Sequence, residues 1–306
     1  MTFPTLTENF RLARLEPPAR KVRMVLDTDT YNEIDDQFAL VYALLSPKLS
    51  VEAVYAAPFH NARSSGPEDG MEKSYEEIVR LLDLLNHPAE GFAFKGSRGY
   101  LDADLAPQES DAARDLVERA LASPENDPLY VLAIGAITNV ASALLMEPDI
   151  IKKIVVVWLA GQPLHWHTVK EFNLAQDVPA ARVLFDSGVP MVQIPCESVT
   201  THLLTTLAEL NAFLRGQNAL CDYLVEIVES YHDDHFAWSK VIWDIVTVAY
   251  LLNADWVPTH LVHSPILTDQ VTWSEDKSRH LVRFAYKVRR DPIFRDLFEK
   301  LRAFEG

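Results

Sequence analysis

Cysteine, glycine and basic residues are all scarce in this chain of 306 residues, and no apolar run is long. Two cysteines, Cys196 and Cys221, are too few for a disulfide scaffold or a four-thiolate zinc site. Neither belongs to a C-x-x-C pair, so a reducing, cytoplasmic location is expected. Ten glycines leave little for glycine-built phosphate cradles, and neither a dinucleotide fingerprint nor a P-loop is present. Lys and Arg number 28 against 44 Asp and Glu, a net charge of −16, which argues against nucleic-acid backbones and anionic membranes as partners. The longest apolar runs, such as 154–161, fall far short of the roughly 20 residues that span a bilayer. The first 21 residues lack the apolar core of a signal peptide.

What is present matches a soluble globular chain: 48% hydrophobic and 24% charged residues, enough for a large buried core. Residues 1–20, with Pro4, Pro17 and Pro18, read as an irregular lead-in. Beyond them, short β-branched runs at 22–27, 51–57, 129–134, 153–160 and 189–195 read as strands, most of them nearly continuously apolar, as in strands covered on both faces. Helical patterns at 33–46, 71–86, 111–123, 137–146 and 178–187 alternate with them, and Ser110 and Asn139 stand where caps or first-turn residues are expected. Helices then dominate 204–252, a β-rich stretch covers 261–287, and a last helix covers 292–304. The expectation is an α/β fold, a mostly parallel, Rossmann-like open sheet flanked by helices, forming a single domain over 1–306.

The segment VLDTDTYNEIDDQFALVYALL puts Asp27, Asp29, Asp35 and Asp36 within ten residues, between a buried strand and a helix. Open α/β sheets place their ligands there. Two carboxylates about 4 Å apart repel by about 4 kcal/mol at an effective dielectric of 20, so a cation should offset them. An all-oxygen set favours Ca²⁺ or Mg²⁺ over zinc. Helix capping explains one or two of these acids, not four. An EF-hand is excluded: Tyr31 and Asn32 stand where that loop needs Asp/Asn and Gly, and Phe38 occupies its twelfth position. Asp27-Thr28-Asp29 after an apolar strand also suits a haloacid-dehalogenase-like, Mg²⁺-dependent phosphatase, although the crowding of acids that follows does not.

Four blocks in order resemble the inosine–uridine-preferring nucleoside hydrolase family. They are Asp27-Thr28-Asp29 with Asp35-Asp36, then AIGAITNVASALL (133–145), EFNLAQDVPAARVLFDSGVP (171–190) and WDIVTVAYLLNADW (243–256). The resemblance implies a nucleoside hydrolase-like fold and a Ca²⁺-dependent hydrolysis, with Ca²⁺ ahead of Mg²⁺, of the N-glycosidic bond of a ribonucleoside or related N-riboside. Purine or pyrimidine nucleoside catabolism in a homodimer or homotetramer is implied with it. Carried over by position, Asp29 would hold the metal and act as base toward water. Asp36, the Thr138 backbone carbonyl and Asp244 would complete the metal cage. Asp35, Asn61, His165, Glu171, Asn173 and Asp244 would bind the ribose. Acidic and carbonyl oxygens around a sugar suit the positive charge that develops on it as the bond breaks.

The chain departs from the family pattern in three places. Five residues, Thr30 to Ile34, separate Asp29 from Asp35 where three are usual; His165 stands where the family has Asn; and Trp243 replaces a His before the last metal Asp. A nitrogen leaving group needs protonation or stacking, and Trp166, His232, His235 and Trp243 are the candidates for that role. Loss of the acid also leaves room for a non-catalytic nucleoside-binding relative.

Overall fold

Apolar runs form the five predicted strands. In the computed structural model, which describes residues 2–306, these are β1 (Val22–Thr28), β2 (Leu49–Ala56), β4 (Leu129–Ala133), β5 (Ile154–Leu159) and β6 (Met191–Ile194). The three-residue β3 (Ala93–Lys95) adds to β2. Two short antiparallel pairs follow, β7 (Leu204–Thr205) with β8 (Lys240–Val241) and β10 (Ile266–Leu267) with β11 (Trp273–Ser274). Finally, β9 (Thr259–His263) and β12 (Leu281–Ala285) extend the main sheet.

The order of that sheet is β3-β2-β1-β4-β5-β6-β12-β9, parallel throughout except for the edge strand β9. Every residue of β4 and β5 is buried, which is why their sequences do not alternate. Successive residues of β1 face opposite layers. Met24 and Leu26 pack with Phe38 and the helices Asp36–Leu44, Pro67–Leu84 and Ile245–Leu252. Val25 packs with Leu116 and Val140 from the helices Asp111–Ala122 and Thr138–Met146. Phe38 is fully enclosed, a burial worth roughly 2–3 kcal/mol. Strand order reverses between β1 and β4, and the crevice at their carboxyl ends is the switch point where such sheets bind ligands.

Several element ends shift by a few residues, as in the helix expected over 71–86, which runs Pro67–Leu84, and two differences have a clear local cause. The lead-in contains a helix, Glu8–Leu15, whose N-cap Thr7 accepts the Phe10 N–H at 3.3 Å. Its prolines lie outside the helix at either end, so they bound it without breaking it. The side chains of Arg11 and Arg14 fasten it by bonding the Gly188 and Glu125 carbonyls. The helix expected from residue 33 begins only at Asp36, because the Asn32 N–H turns back to the Asp29 carbonyl at 2.7 Å. Ser110 caps its helix as expected, whereas the Asn139 side chain points away into the sheet end. Among the described residues no helix is long and apolar enough to cross a membrane.

Candidate active site

A cavity of about 510 Å³ opens at the carboxyl ends of the strands. Its wall comes from Asn32, Glu33, Asp35 and Asp36 beyond β1, Asn61 beyond β2, Ile134 beyond β4, Gln162 beyond β5, and Cys196 with Glu197 beyond β6. Glu171, Phe172 and Asn173 close one side, and Trp243 with Asp244 close another. A larger cavity of about 1190 Å³ lies beside the N-terminal helix, remote from these acids. The arginines on its wall are already engaged: Arg182 with Asp269 and Arg279 with Asp186, each at 2.6 Å, and Arg11 with the Gly188 carbonyl.

Three carboxylates that the sequence grouped converge from distant segments. Asp35, Asp36 and Asp244 each offer an oxygen within 4.8 Å of the others. Asp36 accepts the Thr28 hydroxyl at 2.5 Å and Asp35 accepts the Trp243 backbone N–H at 3.0 Å. Asp29 lies against them with neither carboxylate oxygen bonded to any protein group, although both are buried. Burial first, then the charges of Asp36 and Asp35, drive the Asp29 carboxyl well above its ordinary range. Asp244 is raised well above it by burial and by Asp35, Asp36 and Asp29. Burial and Asp35 push Asp36 up to about 7 despite the Thr28 hydrogen bond. Orphaned buried oxygens are costly, and a hard divalent cation is the group that such an all-oxygen set accommodates. On these observations the residues fit a metal ion.

Behind this cluster lies a clamp that holds the strand ends together. Asn139 donates to Asp27 at 2.7 Å and to the Ala56 carbonyl at 3.2 Å, while its own oxygen accepts the Ser97 N–H at 2.7 Å and the Ser97 hydroxyl at 2.8 Å. Gly96 permits this approach, since a Cβ there would sit 2.0 Å from the Ala56 carbonyl oxygen. Asp27 is buried, raised to about 7 by that burial, and absent from the cavity wall. With one oxygen held by Asn139, Asp27 serves the clamp, and nothing in this arrangement favours it as the nucleophile of a dehalogenase-type phosphatase. Gly135 backs onto Asp29, with a Cβ at its position only 3.0 Å from the Asp29 Cγ. Thr138 opens the next helix, and its buried hydroxyl is bonded to Asp177 at 2.7 Å.

On the opposite wall, Glu171 caps the short helix Phe172–Gln176. Its carboxylate accepts the N–H groups of Gly161 and Asn173, each at 2.9 Å, and of Leu174 at 3.2 Å. Burial raises its pKa against those three donors. Asn173 spends its Nδ2 on the carbonyls of Ile134 and Leu159, at 3.1 and 3.0 Å, which leaves its Oδ1 for a ligand. Asn61 donates to Asn32 Oδ1 at 2.6 Å at the cavity edge.

The longer loop after β1 brings a group that sequence reasoning missed. Glu33 lines the cavity and pairs with the buried Lys240 Nζ, which lies 3.6 Å from Asp35 Oδ1. Burial pulls the Lys240 ammonium down, but Asp35 and Glu33 outweigh it and raise it. Gln162, Phe172 and Glu197 were also missed. Position beside a strand end was the available signal for Gln162, three residues before the expected His165.

Six expected residues do not line the cavity: Asp29 and Thr138, which are fully buried, and His165, Trp166, His232 and His235. After Gln162 the chain turns outward, the Trp166 N–H closing on the Pro163 carbonyl at 3.0 Å, so His165 is exposed and Trp166 points elsewhere. His232 stacks on Trp238 with ring centroids 4.9 Å apart, in an exposed turn where His235 bonds the Glu229 carbonyl at 3.0 Å. Those local contacts hold both imidazoles away from the cavity wall. Trp243 does reach it.

Comparison with known proteins follows the same lines. The family model described as inosine-uridine preferring nucleoside hydrolase matches residues 24–295. Pyrimidine-specific ribonucleoside hydrolase RihA from Klebsiella pneumoniae (strain 342) is 30% identical over 263 residues, 76% of this chain and 80% of that protein. The protein of the same name from Salmonella agona (strain SL483) is 28% identical, with the same coverage. Among solved structures, the plant nucleoside hydrolase PpNRh1 superposes with a TM-score of 0.75 at 18% identity, covering 92% of this chain and 99% of that one. A purine-preferring ribonucleoside hydrolase from Gardnerella vaginalis gives a TM-score of 0.70 at 20% identity, covering 92% and 98%.

Proposed function

Because the chain belongs to the inosine–uridine preferring nucleoside hydrolase family, and is a hydrolase acting on N-glycosyl bonds of ribonucleosides, we propose that it does so with a divalent cation held by Asp29, Asp36, Asp244 and the Thr138 backbone carbonyl. The observation that carries this reading is the buried Asp29 carboxylate, whose two oxygens have no partner while Asp36 and Asp244 crowd the same space. When bound, the cation supplies Lewis acidity toward water and sugar hydroxyls. The hard oxygen set supports Ca²⁺ ahead of Mg²⁺, since Ca²⁺ accepts more ligands in less regular geometry.

The residues of the chain do the rest. Asp29 takes the proton of the attacking water. Asp35, held in place by the Trp243 N–H, accepts a hydrogen bond from a ribose hydroxyl. Glu171, Asn173, Asn61 and Asp244 orient the sugar, and their oxygens stabilise the positive charge that builds on it. Gln162 takes the place first assigned to His165. Attack from the face opposite the leaving group inverts the anomeric carbon without a covalent intermediate. The proposal extends to a single domain over 1–306, a cytoplasmic homodimer or homotetramer, and two cysteines that stay reduced, as they are both free and buried.

Assay of released ribose from a panel of purine and pyrimidine nucleosides, with Ca²⁺ and with chelator, tests the reading. Activity that survives both chelation and Asp29→Ala overturns it, as does phosphate release from phosphomonoesters in place of ribose release.

A further inference from the structure

The residues that the metal and sugar assignments leave over have a chemistry of their own. They include Glu33, Phe172, Glu197 and Trp243, two carboxylates and two aromatic rings. Lys240 neutralises Glu33. Among the described residues Glu197 makes no ion pair within 4.0 Å, and its one hydrogen bond is from its backbone N–H to Gln162 Oε1 at 3.0 Å. The cavity wall holds six carboxylic acids and, among the described residues, no Lys, Arg or His.

A neutral heterocycle leaves a sugar as an anion unless it is protonated, and a general acid must be within hydrogen-bond reach to do this. No imidazole or ammonium is placed to act. His165, His232 and His235 lie outside the wall, and Lys240 turns its Nζ to Glu33 and Asp35 without lining the cavity. Glu171 is oriented as an acceptor, with three backbone N–H groups on its oxygens. An acidic, aromatic pocket with no basic side chain on its wall is matched to a cation: rings and carboxylates both attract one, more strongly when water is excluded.

Resting on the function proposed above, we infer that this site is built for N-ribosides whose heterocycle already carries a positive charge, such as a ribosyl pyridinium or an N7-alkylated purine nucleoside, with Glu197 as the specificity-determining carboxylate. The electrons balance without an acid. The C1′–N bond breaks, its pair returns to the ring nitrogen and cancels the ring's charge, and water adds to C1′. The proton that water loses goes through Asp29 to solvent, so each turnover yields ribose, a neutral heterocycle and one proton. A neutral nucleoside instead keeps that proton on its base.

The test compares 7-methylguanosine with guanosine, and nicotinamide riboside with uridine, on the Ca²⁺-loaded enzyme. Each rate is divided by the uncatalysed rate of the same compound, because cationic ribosides are intrinsically more labile. The expected result is a corrected kcat/KM at least about tenfold higher for each cation. Proton release near one per ribose is expected in a pH-stat. Glu197→Gln should then cost the cationic substrate about tenfold more than the neutral one, chiefly in KM. Neutral nucleosides cleaved as well as cations after correction, or equal losses for both in Glu197→Gln, overturn this inference and leave the function above intact. Absence of ribose release from every compound overturns both.

Discussion

Trp243 donates its backbone N–H to Asp35 Oδ2 at 3.0 Å, across 208 residues of sequence. The bond joins the loop after β1 to the start of the helix Ile245–Leu252, and it leaves the other Asp35 oxygen facing Lys240 at 3.6 Å. Asp35 is thus fixed by the protein alone, whereas Asp29 has no such partner. Two acids six residues apart are prepared for different work.

Lys240→Met leaves Glu33 and Asp35 adjacent without a counter-charge. The Lys240 side chain is 8% exposed and that of Glu33 36%, so the loss in stability should fall below that of a fully buried pair, about 2 kcal/mol in urea denaturation. Glu33→Gln in the same background should recover part of it. A Lys240→Met protein within about 0.5 kcal/mol of the parent would show the pair to be unimportant.

Asp29→Asn removes a carboxyl whose ionisation is opposed by burial first and then by the charges of Asp36 and Asp35. Metal-free protein should become more stable by about 1 kcal/mol, measured by calorimetry in chelator, while ribose release falls about 10³-fold. Loss of stability together with activity would mean that Asp29 serves the fold and not the reaction.

Asp27 and Asp36 are raised to about 7, and Asp29 and Asp244 well above the ordinary range. Folded metal-free protein therefore holds protons that the unfolded chain has released above about pH 4. This contribution to stability is present in full below pH 4 and is lost as pH rises through about 7. A cation held by Asp29, Asp36 and Asp244 must displace the protons of those three carboxyls. Its affinity should weaken as pH falls from 8 to 6, by up to about tenfold per unit for each proton displaced. Calorimetric titration in two buffers of different ionisation enthalpy counts the protons released; pH-independent affinity would refute the assignment.

Gly96→Ala should cost about 3 kcal/mol, because its Cβ would meet the Ala56 carbonyl oxygen at 2.0 Å and the Asn139 amide at 2.5 and 2.7 Å. Displacing Asn139 frees Asp27, so metal affinity should fall as well. Gly99→Ala, with its nearest neighbour 4.0 Å away, is the control and should stay within about 0.5 kcal/mol.

Central strands were legible because burial on both faces writes itself as unbroken apolar runs, as in β4 and β5. The three-residue β3 and the largely exposed edge strand β9 carry no such pattern. At the site, the acids of the loop after β1 were visible from spacing alone. Lys240 was not, since its partner Glu33 lies 207 residues away and a lone lysine in sequence announces nothing. Counting back from Glu171 pointed to His165, but the turn at Pro163 puts Gln162 on the wall. The helix Glu8–Leu15 was hidden by prolines that lie just beyond its ends.

The cavity wall is gathered from segments between residues 32 and 244, so Asp244 joins the acids of the loop after β1 only when the distant segment docks. Until Asp244 arrives, Asp29 and Asp36 can remain hydrated and feel little repulsion. The proposed cation site is therefore complete only once both segments are docked. A bound ion should slow unfolding while leaving the refolding rate nearly unchanged, so the same acids that strain the empty protein would act as a kinetic latch on the filled one.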